Sequence, residues 1–142
     1  MTAKEYLLQA KYLDQQINNK ICQLRMLNDL ATKVTYTMTG MPGGFGDRAS
    51  KQDSIVTKII DFQKEINADI DRLVDLKREI LISIQSLDSV EHQLVLEKRY
   101  ILFEKWEKIA ADMNTDIRNI YRIHGKALVE LEKILANSES CH

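Results

Sequence analysis

Arg118, Asn119, Arg122 and Lys126 carry the most specific recognition chemistry in this chain. Arg118, Arg122 and Lys126 recur at every fourth residue, which places them on successive turns of one helix face. Arg and Asn present paired donors and acceptors that match the guanine and adenine edges exposed in the DNA major groove. Tyr121 lies on the same outward side, and Asp116 stands just ahead, where a carboxylate can accept from the free N–H groups of a starting helix. Ile117, next to it, offers a methyl surface for a thymine or for another part of the protein. His124 falls near the same face and reads as a phosphate or groove contact. The chemistry implied is recognition of double-stranded DNA.

Other chemistries have less support. Asp61, Glu65 and Asp69, then Asp71, Asp75 and Glu79, fall at fourfold spacing. Carboxylate-bridged metal sites in helical bundles also need Glu-x-x-His partners, and none is present. Lys58, Lys64, Arg72, Lys77 and Arg78 interleave with these acids, so a solvated, salt-bridged face is the expectation. His92 reads as an ordinary surface residue. Cys22 and Cys141 form neither a metal spacing nor a disulfide framework, and reduced thiols are expected. Gly43-Gly44-Phe45-Gly46 lacks the Lys-Ser/Thr and the preceding strand that a nucleotide loop requires. No catalytic residue, metal or cofactor is expected, and the chain is not read as an enzyme.

The recognition residues need a helix that turns one face outward. In Trp106 to Met113, the residues Trp106, Ile109, Ala110 and Met113 share one helical face, with Glu107, Lys108 and Asp112 opposite. Asn114 follows, the commonest non-Gly residue to accept the left-handed backbone that ends a helix. A second helix is expected from near Ile117, capped by Asp116, with Ile120, Ile123, Ala127, Leu128, Leu131 and Leu135 facing inward. Upstream, Leu87 to Glu91 opens another helix, with Asp88 as its cap and Glu91 at the box position.

At these residues the chain resembles a known family. The run from Leu87 through LVLEKRY, WEKIAADM, NTDIRNIYR and KALVELEKIL is similar to region 4 of the primary sigma factors, the module that reads the −35 promoter element. It also resembles small phage late-transcription regulators of the ArpU and RinA type, which share a phrase here formed by Tyr121, Arg122, His124, Ala127 and Leu128. The likeness covers about the last third of the chain. It implies a helix-turn-helix whose second helix, about 116–135, enters the major groove, with Ile117, Arg118, Tyr121 and Arg122 facing bases and Asp116 at the cap. It also implies late-gene activation, with RNA polymerase as a further partner. Ile117 stands where sigma modules carry a polar or charged residue and Thr115 where they carry a β-branched apolar one, so the target sequence is not inherited.

The first half reads differently. Thr2-Ala3-Lys4-Glu5 is a capping box, and Tyr6, Ala10, Leu13, Ile17, Leu24, Ala31 and Val34 recur at helical spacing, with Lys20 and Leu27 between them. This predicts a long helix ending near Met38. Thr39 to Ser50, TGMPGGFGDRAS, gathers most of the five glycines around the single proline and is expected to be a loop. A second long helix starts at Ser50 or Asp53, with Ile55, Ile59, Phe62, Ile66, Ile70, Leu73, Leu76 or Lys77, Ile80, Ile84 and Leu87 as its seam. Each helix would be about 50 Å long. The fold expected is all-α: a long antiparallel, coiled-coil-like hairpin over 1–86 (loop 39–50), a sigma region 4-like helix-turn-helix domain over 87–136, and a disordered tail over 137–142.

Leu7, Leu8, Ile21, Met26, Leu30 and Tyr36, with Val56, Ile60, Val74, Leu81 and Ile82, add apolar surface beyond one seam. Such surface is normally covered from two sides, so a homodimer or higher homo-oligomer through the arm is expected. With a net charge of −1 the chain has no broad basic field. Few phosphate contacts mean weak binding from one copy, and a second copy or a partner must add the rest. No segment reads as a signal peptide or membrane span, so the cytoplasm of a bacterial host is the expected location. Two other readings stay open: a small-terminase-like phage DNA-packaging protein, and a helical adaptor that does not bind DNA.

Overall fold

The computed structural model describes residues 1–38 and 45–140, all of them helical or in short connections between helices. Helix α1 spans Ala3–Met38, α2 Phe45–Gln85, α3 Val90–Leu96, α4 Trp106–Asp112 and α5 Ile117–Ser140, with a π-helical turn at Glu97–Ile101. The chain is all-α over the described residues, as expected. No helix among them is long and apolar enough to cross a membrane.

Of the expectations about helix ends, the first holds and the others need correction. The capping box at the start of α1 is formed reciprocally: the Thr2 N–H donates to Glu5 Oε2 at 2.9 Å and the Glu5 N–H to Thr2 Oγ1 at 3.2 Å. Helix α2 begins at Phe45, so 45–50 is helical where a loop was expected; 39–44 lies outside the described residues. The cap of α3 is Ser89, whose hydroxyl accepts from the His92 N–H, and not Asp88. Asp88 instead donates its own N–H to Glu130 Oε1 at 3.0 Å. Helix α5 continues to Ser140, so the tail expected from 137 is helical up to that residue, and 141–142 lies outside the described residues.

The chain forms two compact units, 1–13 with 73–142, and 14–72, a division different from the boundary expected at 86/87. In the first unit, Ala3, Leu7 and Ala10 of α1 pack with Ile80, Ile84 and Leu87, with Leu96 and Tyr100, and with Ala127 and Leu131 of α5. The ends of both long helices therefore share a core with the C-terminal helices. Leu7, expected on a secondary stripe, is fully buried and stands at the centre of this core. A second cluster joins Val95, Ile109, Ala110, Ile120 and Ile123, with Trp106, Met113 and Ile117 against it.

The connection between these clusters is strained. The Leu102 N–H bonds back five residues to the Glu97 carbonyl at 3.0 Å, the signature of the π turn. Phe103 then takes a left-handed backbone, φ 56°, which costs a non-glycine residue about 1–2 kcal/mol. Its ring packs against the first core, with Lys77 Nζ 4.4 Å from the ring centroid. The Glu104 N–H bonds back to the Lys98 carbonyl at 2.9 Å across this residue, and this bond and the half-buried ring together hold the backbone there.

In the second unit, Ile17 and Ile66 are buried and Lys20 reaches Asp69 Oδ2 at 2.6 Å. Asp69 is only 7% exposed, so it is not part of the solvated acidic face expected of it, whereas Ile70, expected in the seam, is 40% exposed. The inward position goes to Asp69 because Lys20 faces it there, with Arg72 Nη1 3.3 Å from the other carboxylate oxygen. The hydrogen bond from Lys20 to Asp69 holds the ammonium above its ordinary pKa.

Because Leu7 is fully buried, Leu7→Ala should destabilise the protein by about 2–5 kcal/mol. Urea unfolding followed by circular dichroism measures it, and a loss below 1 kcal/mol would contradict the packing of α1 into the first core.

Candidate nucleic-acid interface

Helix α4 ends in a left-handed turn. Asn114 has φ 54°, the Thr115 N–H bonds to the Ala110 carbonyl at 3.0 Å, and the Asn114 N–H bonds to that of Ala111 at 3.2 Å. The two bonds form a Schellman pair, which satisfies carbonyls that the end of a helix leaves free. Two residues later Asp116 Oδ1 accepts the Asn119 N–H at 2.8 Å and caps α5. Both local signals read from the sequence, Asn114 as the turn and Asp116 as the cap, are in place.

The direction of α5 follows from what its back covers. Ile120 and Ile123 enter the second cluster, Ala127 and Leu131 the first. Trp106 braces the junction: Tyr121 and His124 meet its ring edge-on, with centroids 5.2 and 4.8 Å away, and the Arg99 guanidinium carbon lies 4.3 Å from its ring centroid. With that side filled, Arg118, Tyr121, Arg122 and Lys126 are exposed on the other. Arg118 and Lys126 have no hydrogen bond or ion pair among the described residues. Lys105 is exposed near the start of α4, and Lys108 pairs with Glu104 Oε1 at 3.2 Å.

Four expected contact residues are otherwise engaged. Asp116 is occupied by capping. Ile117 is half-buried against the second cluster, so of the two roles open to it the structure gives the covered one. Asn119 is half-buried; its amide nitrogen donates to Thr115 Oγ1 at 2.9 Å, and its oxygen accepts from Arg122 Nε at 3.0 Å and Nη2 at 2.7 Å. His124, expected to contact a phosphate or a groove, is turned inward: its Nε2 shares a hydrogen bond of 2.7 Å with the Tyr100 hydroxyl. Burial, helped by the charges of Lys4 and Arg99, lowers its pKa to about 4, so it brings no positive charge at neutral pH. Burial likewise raises the pKa of Tyr100.

Other interior polar contacts lack a local sequence signal. His92, read as ordinary surface, is half-buried with Nδ1 2.7 Å from Glu130 Oε2. The Asp88 N–H and then His92 lower the Glu130 pKa. Glu104 lies between Lys108 and Lys98, and Lys98 also reaches Asp112 at 3.5 Å. The Asp88, His92 and Glu130 partners stand 38 and 42 residues apart, and no spacing rule links them, whereas Glu104 and Lys108 are four residues apart, the spacing of a helical pair. Among the described residues, no three His, Cys, Asp or Glu are grouped to hold a metal.

A family of proteins of unknown function, DUF1492, matches residues 36–132. The chain belongs to the DUF1492 family. The matched span of this DUF1492 member takes in α2 to α4 and α5 as far as Glu132, and leaves most of α1 outside. No curated protein and no solved structure matches the chain.

Two measurements test this local construction. Asn114→Val should destabilise by about 1–2 kcal/mol, because a β-branched residue resists the left-handed turn, while Asn114→Gly should be as stable as the parent; equal stability of all three would refute the turn. The lowered pKa of His124 means that the unfolded chain binds its proton first on acidification. Stability should therefore be complete above pH 6.5 and fall as the pH drops towards about 4. In His124→Gln, urea midpoints should lose much of that dependence, and an unchanged pH profile would count against a buried neutral imidazole.

Proposed function

We propose that this chain is a sequence-specific DNA-binding transcription regulator of phage or prophage origin, of the late-gene activator type. Helices α4 and α5 act as a sigma region 4-like helix-turn-helix, with α5 as the recognition helix in the major groove. One observation carries the reading: the Asn114 turn and Asp116 cap set α5 so that its apolar side is consumed by two cores while Arg118, Tyr121, Arg122 and Lys126 face outward together. Arg118 and Arg122 supply planar donor pairs for base edges, Lys126 a point charge for a phosphate, and Tyr121 an amphipathic surface. The ArpU and RinA likeness and contact with RNA polymerase belong to this proposal, as does the absence of a catalytic role.

The long helices serve as an arm. Tyr6 meeting Ser83 in one unit, and Lys20 meeting Asp69 in the other, support an antiparallel hairpin. A second copy would double the phosphate contacts available to a chain of net charge −1. The rival reading, an adaptor that does not bind DNA, is favoured by one observation: Arg122 and Asn119 are bonded to each other and must part before either reads a base.

Fragments retained by the protein from phage-bearing bacterial DNA, selected at two salt concentrations, identify the target. On such a fragment, Arg118→Ala and Arg122→Ala should each cost about 1–3 kcal/mol and relax base preference. Lys126→Ala should weaken all sequences alike and lower the salt slope by about one. Undiminished binding by Arg118→Ala/Arg122→Ala, with helicity retained, would rule out this recognition helix; no retained fragment at either salt would favour the adaptor.

A further inference from the structure

Helix α2 carries a second stripe besides the one that packs inward. Val56, Ile60 and Ile70 are 42, 46 and 40% exposed, and the same spacing continues along the helix to Val74 at 59%. Exposed Gln63 and Asn67 fill the intervening steps, so that Val56, Ile60, Gln63, Asn67, Ile70 and Val74 advance by four, three, four, three and four residues. This is a heptad seam, whose repeat keeps one face on a neighbouring helix through a left-handed supercoil. A solvated helix face has no need of such regularity. Within 14–72, the groove lined by Ile21, Leu24, Gln63, Ile66 and Asn67 opens beside it.

The stripe is close to its own mirror. Turned end to end about Glu65, Val56 falls opposite Val74, Ile60 opposite Ile70, and Gln63 opposite Asn67. Valine meets valine, isoleucine meets isoleucine, and two amides meet, each with a donor and an acceptor for the other. These are the pairings of an antiparallel helix pair around a two-fold axis, in which one patch serves both partners. A slip of one heptad would set Asn67 against Ile70 and Gln63 against Val74, leaving the amides unpaired and thereby specifying the register. One flank, at Ile59, Ile66 and Leu73, is already covered to differing degrees. The open flank carries Lys64 and Asp71, both exposed and without an ion pair among the described residues. In the antiparallel arrangement Lys64 is offset by two residues from Lys64 of the other copy and by five from its Asp71, and both lysine side chains lean towards their own N-termini, away from each other and towards those carboxylates.

We propose that this stripe is the self-association surface of the protein, and that it takes α2 of a second copy, antiparallel, with the Gln63 and Asn67 amides setting the register. The inference does not depend on the DNA reading, because its test reads mass and cross-linking in the absence of nucleic acid.

Sedimentation equilibrium of the full chain over a concentration series should give twice the 16.4 kDa of one chain. Ile60→Glu/Ile70→Glu, at positions outside both cores, should give a monomer of unchanged helicity. A monomeric parent, or a dimeric and folded variant, overturns the proposal. Should that variant fail to fold, cysteine cross-linking decides. In a Cys22→Ser/Cys141→Ser background, Ile60→Cys with Ile70→Cys should form a disulfide-linked dimer under mild oxidation, and neither single substitution should. Linking by either single variant, or none by the double, overturns the antiparallel pairing.

Discussion

The apolar face of α5 is shared between two clusters, and the rest of the C-terminal region depends on that division. Ile120 and Ile123 belong with Val95, Ile109 and Ala110; Ala127 and Leu131 belong with Leu7, Ile84 and Leu96. A helix held by one cluster could roll about its axis at the expense of a few contacts. Held by both, it would open cavities in each, and filled cores resist that. The outward direction of Arg118, Arg122 and Lys126 is thus a consequence of packing on the opposite side.

Three polar pairs inside the molecule join segments distant in sequence. Tyr100 with His124, His92 with Glu130, and Lys20 with Asp69 satisfy groups that would be costly if buried alone. Pairs of this kind add little to stability compared with a well-packed apolar substitute. They do narrow the alternatives, because a helix that slides or rotates leaves a donor or an acceptor unmatched. In this chain they act as registry marks between helices whose apolar stripes alone would permit several alignments.

Two exposed surfaces follow from how the interior is filled. On α5 one exposed stripe is basic and aromatic; on α2 one exposed stripe is apolar with two amides at its middle. Neither depends on a large charge. Under the function and the pairing proposed above, a protein of net charge −1 that contacts DNA through one helix face would gain from a second copy of that face, and a self-complementary stripe would supply it at no cost in charge.

The sequence by itself determined the local elements. The Thr2–Glu5 capping box, the long helix to Met38, Asn114 as a left-handed turn, Asp116 as a cap and the inward set Ile120, Ile123, Ala127 and Leu131 depend on neighbours within a few residues, where periodicity and capping chemistry act. Tertiary structure decided everything that needs a distant partner. Leu7 became central because Ile80 and Ile84 lie against it, Asp69 replaced Ile70 inward because Lys20 faces it, and His124 left the outward face because Tyr100 and Trp106 enclose it. The left-handed backbone at Phe103 has both kinds of cause: the Glu104 N–H bonds back to the Lys98 carbonyl at 2.9 Å, and the ring packs against the first core. A repeat of three or four residues says that a helix has an inside. It does not say which of two adjacent stripes that inside will be, because that choice is made by the surface it meets.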